Sequence, residues 1–137
     1  MNRVASLALA VAALTPIALV AQSNSKPDLS RQVIGVWEGP YQSEAASPGT
    51  LRLTVIRAEN REWKATLEIF SDQAPPAGEV RNFMVEGDTV SWVQTVADLD
   101  CYSKATIVGG LLKGTAECSQ GGTVALTAGF LLERKKP

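Results

Sequence analysis

The stretch Cys-Tyr-Ser-Lys-Ala-Thr-Ile-Val-Gly-Gly-Leu-Leu-Lys-Gly-Thr-Ala-Glu-Cys, residues 101–118, decides the fold. Its two cysteines stand equidistant from the pair Gly109 and Gly110. Gly-Gly supplies the positive φ angles of a tight two-residue hairpin loop. With that loop, Cys101 faces Cys118 across two antiparallel strands. Val108 and Leu111 form the first, hydrogen-bonded pair, and alternation outward makes the cysteine pair non-hydrogen-bonded. That class brings Cα atoms to roughly 4.5 Å, within disulfide reach. One face of the hairpin collects Cys101, Ser103, Ala105, Ile107, Leu112, Gly114, Ala116 and Cys118, and the other Tyr102, Lys104, Thr106, Lys113, Thr115 and Glu117. The charged set takes the water, so the cysteine face points inward. That inner face is small. Either bulky side chains from the opposite wall fill the space, as in small barrels that alternate small and large residues, or room is left for a ligand.

Working outward, the same period of two recurs along the chain. Eight β-rich runs separated by turn residues cover 35–41, 50–57, 62–70, 79–86, 89–95, 101–108, 111–118 and 123–133. Leu51, Leu53 and Val55 share a face, as do Trp63, Ala65, Leu67 and Ile69. Phe83 and Val85 pair across Gly87-Asp88 with Trp92 and Val90, and Val124, Leu126, Ala128, Phe130 and Leu132 line one side of the last run. Such alternation predicts an antiparallel sheet with one buried face, here an all-β, eight-stranded, up-and-down barrel over residues 35–134. Residues 30–33 read as one helical turn within a lead-in at 24–34, and 135–137 as a basic tail whose few charges make a solubilising end. In an up-and-down order one end carries the short connections 58–61, 87–88 and 109–110. The other carries 42–49, 71–78, 96–100 and 119–122, longer on the whole, and so reads as a mouth.

The first 23 residues read as a secretory signal peptide. Arg3 is the only charged side chain before Lys26, Val4 to Val20 is mostly Ala, Leu and Val, and small residues follow at Ala21 and Ser23. Cleavage after Ser23 satisfies the small-x-small rule better than cleavage after Ala21. A retained anchor is the rival reading, disfavoured by Pro16 late in the run. The remaining chain is one domain, expected in the periplasm or outside the cell, without stable membrane insertion. Loss of Arg3 takes the formal charge from −1 to −2, so no basic excess exists to follow a phosphate backbone and nucleic acid is not an expected partner.

The chain has no histidine, which excludes the usual serine-hydrolase triad and a His-based zinc site. No phosphate-cradling glycine loop occurs, and no cofactor or metal is expected. Asp98 and Asp100 alternate with apolar residues near the mouth, where solvated loop carboxylates are the plainer reading than a calcium site or an acid–base pair. An enzyme would have to work with carboxylates and Tyr41 or Tyr102. Cys101 and Cys118 are too far apart in sequence for a Cys-x-x-Cys redox motif and read as a structural bridge. Trp63, Phe83, Trp92 and Phe130 fall on inner faces, as core or as the apolar wall of a pocket gated by the loops 42–49 and 71–78.

Gly35-Val36-Trp37 on the first strand, the antiparallel order and Arg134 on the last strand resemble the lipocalin and wider calycin pattern. The resemblance implies that Trp37 closes the barrel base, that Arg134 packs over it, and that the other end binds a small apolar or amphipathic molecule without catalysis. The chain also resembles small secreted bacterial Gly-x-Trp barrels, some attached to hydrolases, and signal-bearing one-disulfide barrels among bacterial protease inhibitors. That second likeness implies a protein-interaction module, with residues 24–29 as a plug. Against the lipocalins, this chain is shorter and has no C-terminal helix, and Asp100-Cys101-Tyr102 matches their Thr-Asp-x motif only faintly.

Overall fold

A computed structural model describes residues 30–72 and 77–136. The predicted signal peptide, the segment 24–29 and part of the loop 71–78 lie outside the described residues. A helical turn, α1 (Ser30–Val33), leads into eight strands: β1 (Gly35–Ser43), β2 (Gly49–Arg57), β3 (Trp63–Phe70), β4 (Ala77–Glu86), β5 (Thr89–Val96), β6 (Leu99–Val108), β7 (Leu111–Gln120) and β8 (Thr123–Arg134). They form one antiparallel sheet in the order β3-β2-β1-β8-β7-β6-β5-β4. The sheet curls into a nearly closed barrel. Among the described residues no strand pairing joins β3 to β4; there the rings of Trp63 and Phe83 meet with centroids 5.8 Å apart.

The β6–β7 hairpin follows the register expected from its sequence. Gly109 and Gly110 turn with φ of +57° and +79°, and Cys101 pairs with Cys118. Those two cysteines form a disulfide with Cα atoms 3.9 Å apart. Ser103, Ala105, Ile107, Leu112 and Ala116 are buried on the same face.

Two expectations fail for local reasons. The segments 96–100 and 119–122 are not long mouth loops. Strands β5 to β8 run further than expected and are joined by two-residue turns, at Ala97-Asp98 and Gly121-Gly122, where Ala97, Gly121 and Gly122 have positive φ. Among the described residues, the longer connection at the mouth is therefore the loop 44–48. Val124 does not line the inner face. The register shifts between Cys118 and Ser119, pairing Cys118 with Leu126 but Ser119 with Val124, so Ala125 is the extra residue of a bulge. That single insertion rotates Val124 outward, where it is 53% exposed. A similar shift in β4 spans Asn82, whose φ is +52°.

The base of the barrel is sealed by α1 and the ends of β1 and β8. Trp37 is buried and donates from Nε1 to the Val33 carbonyl at 2.8 Å, which draws α1 across the opening and buries Val33 completely. The Arg134 guanidinium lies 4.8 Å from the Trp37 ring centroid and donates to the Ile34 carbonyl at 3.0 Å. Trp37 and Arg134 thus meet at the base. The tail begins docked rather than free: Lys135 donates its backbone N–H to Val36, and its ammonium sits 3.5 Å from Glu38.

Candidate functional site

The barrel interior is packed at one end and open at the other, and a single glycine marks the change. Gly114 points inward on β7. A Cβ there would stand 2.6 Å from Phe130 Cζ and 2.4 Å from the Lys104 carbonyl oxygen, so the missing side chain is the seat of the Phe130 ring. Phe130 in turn packs on Trp92, with centroids 5.7 Å apart. Below these rings, Leu53, Val55, Val90, Leu112 and Leu132 are completely buried. Above them the small wall residues Cys101, Ser103, Ala116 and Cys118 line a cavity of about 320 Å³. Leu51, Leu67, Ile69 and Leu126 supply its aliphatic surface, and Ala45, Ala46 and Ser47 of the first mouth loop reach its rim.

Among the described residues, no Asp, Glu, Lys or Arg lines this cavity. Its polar groups are few: Tyr41, Ser47, Ser71, Gln94 and Ser103. Gln94 and Ser103 are 5% and 1% exposed, the two buried polar residues among the described residues. Gln94 accepts a hydrogen bond from Trp92 Nε1 through its side-chain oxygen. The period of two places Gln94 on the same face as Trp92, so the signal for it existed in the sequence.

The four aromatic residues named from the sequence form one row across the barrel. Trp63, Phe83, Trp92 and Phe130 follow one another with centroid separations of 5.8, 6.2 and 5.7 Å. Only Trp92 and Phe130 line the cavity; Trp63 and Phe83 continue the row to the β3–β4 seam, where Arg57 covers the Trp63 ring at 4.6 Å. Tyr41 lines the cavity, whereas Tyr102 is exposed on the outer face.

The two aspartates do not share a face at the mouth. Asp98 sits in the β5–β6 turn. Asp100 is exposed on the outer wall, 3.3 Å from Arg81 Nη2 and 3.2 Å from Thr95 Oγ1. Among the described residues, no group of three or more His, Cys, Asp or Glu side chains is placed to hold a metal ion, and no helix is long and apolar enough to cross a membrane. At the base, Arg52 donates to Glu38 at 2.8 Å. That hydrogen bond, with the nearby charges of Lys135 and Arg52, holds the Glu38 carboxyl below the usual carboxylate range against the opposing effect of burial. Compared with protein-family models, curated proteins and solved structures, the chain gives no match.

Proposed function

We propose that the protein is a non-catalytic binding barrel of the calycin type, acting in the periplasm or outside the cell on a small, largely apolar, uncharged molecule. The observation that carries this reading is the cavity above Trp92 and Phe130. Protein interiors pack to crystal-like density, and at the base Leu53, Val55, Val90, Leu112 and Leu132 are fully buried. At the mouth the interior is left unfilled over about 320 Å³, at the lower end of the roughly 300–1,000 Å³ of ligand pockets. The lining is aromatic and aliphatic with a few polar groups, the composition that orients a small molecule. The disulfide supports an oxidising compartment and pins the wall that the ligand would touch. At roughly 30 Å³ per liquid water, the space takes about a dozen non-hydrogen atoms.

Native mass spectrometry of the mature oxidised protein tests this, first as exported and then with a graded series of phenyl alkyl ketones. The expected result is one extra mass per chain that vanishes on denaturation, with best occupancy near a dozen non-hydrogen atoms. A bare monomer throughout would overturn the reading and move the search to a protein partner.

A further inference from the structure

Two polar side chains of the cavity wall, each more than nine-tenths buried, present hydrogen-bonding groups to the cavity rather than to a protein partner among the described residues, and no side-chain N or O atom is both fully buried and unpaired there. An indole N–H is a donor only. The Trp92 hydrogen bond therefore fixes which way the Gln94 amide points: its oxygen faces Trp92, and its NH2 must face elsewhere. Among the described residues that NH2 has no hydrogen-bond partner, and neither has the Ser103 hydroxyl. Both residues line the cavity and are more than nine-tenths buried.

The strand register places the two groups together. Trp92 pairs with Ser103 and Gln94 with Cys101, so Gln94 and Ser103 are diagonal neighbours on the inner face of the β5–β6 pair. Such neighbours lie about 7–8 Å apart at the backbone, within reach of a long side chain. A side chain as long as glutamine reaches across such an interval, so the register places its NH2 and the serine hydroxyl in the same part of the cavity wall. Leucine and alanine at these positions would keep the cavity apolar.

We infer that the ligand carries an uncharged oxygen acceptor, a carbonyl group, bound jointly by the Gln94 amide NH2 and the Ser103 hydroxyl. The inference rests on the proposed binding function and names the chemical class it takes. Two donors side by side match the two lone pairs of a carbonyl oxygen. A carboxylate would present similar oxygens, but the uncharged lining offers no cation to offset its desolvation. The aromatic floor of Trp92 and Phe130 then receives the apolar remainder of the molecule.

The test is calorimetric titration of the mature oxidised protein with butyrophenone, with n-butylbenzene (the same skeleton without the oxygen) and with 4-phenylbutyrate. Effects are read within each probe, because the hydrocarbon leaves water more readily whatever the site offers. Ser103→Ala and Gln94→Met are each expected to weaken butyrophenone about 3- to 10-fold, the range of one net hydrogen bond, and to leave butylbenzene within about 2-fold. 4-Phenylbutyrate is expected not to bind at neutral pH. Ser103→Ala removes one atom, so its result stands if Gln94→Met unfolds. Equal losses for both neutral probes, no loss for the ketone, or tight binding of the anion would overturn the carbonyl assignment while leaving the cavity a binding site. Failure of both neutral probes to bind the unaltered protein would instead overturn the binding function itself.

Discussion

Cutting the Cys101–Cys118 bridge should cost this domain a large part of its stability, and the amount follows from the fold. The bond closes a loop with a sequence separation of 17. On the chain-entropy relation, releasing a loop of that length frees the unfolded chain by about 3 kcal/mol at room temperature. For a domain of this size, each kcal/mol moves the melting temperature by about 4–8 °C, so reduction should lower it by about 12–24 °C. The assay is thermal unfolding followed by circular dichroism, for the oxidised protein, the reduced protein and the double variant Cys101→Ala/Cys118→Ala. Both cysteines are buried, at 1% and 6% exposure, so the double variant should melt slightly below the reduced protein through lost packing. A drop of less than about 4 °C on reduction would refute the reasoning. It would mean that the Gly109-Gly110 turn already holds the hairpin closed in the unfolded chain, leaving the bridge little entropy to remove.

Gly114→Ala should destabilise by about 1–3 kcal/mol in a urea titration and weaken butyrophenone, because the new methyl would meet the Lys104 carbonyl at 2.4 Å and displace Phe130 from the cavity floor. Arg134→Ala should cost about 1 kcal/mol, the worth of an exposed cation–π contact with its hydrogen bond, without changing ligand affinity, since Arg134 sits at the base and away from the cavity. Glu38 has a lowered carboxyl pKa in the folded protein, so its stabilising effect is complete above the unfolded glutamate value of about 4.3 and is lost as pH falls through the folded value. Melting curves of Glu38→Gln should therefore lie below those of the unaltered protein at pH 7 and converge with them toward pH 3. A gap that persists at low pH would contradict this sign.

The strands were legible because each half-buried strand writes its own burial pattern in alternate residues. The β6–β7 register was legible because two covalently compatible residues flank a turn that only glycine makes easily. The meeting of Trp37 and Arg134 was implied by the lipocalin-like resemblance and not by alternation or spacing. Trp63 and Phe83 show where this reasoning stops. Period two placed them on the inner face correctly, yet facing inward does not say at which height along the barrel axis a ring lies, or what stands opposite.

From its sequence alone this chain declared an eight-stranded antiparallel barrel with one cysteine-bridged hairpin, because side-chain alternation and turn chemistry are local and survive without knowledge of the partner wall. The tertiary structure decided the rest. One extra residue at Ala125 turned Val124 out, because bulges slip a register that alternation assumes to be constant. The seating of Phe130 over Gly114 closed the lower barrel and left the upper part empty, because packing depends on which residues of distant strands share a level. The indole of Trp92 chose the orientation of the Gln94 amide, and with it the chemistry the cavity presents, because a donor-only partner leaves the amide a single way to face.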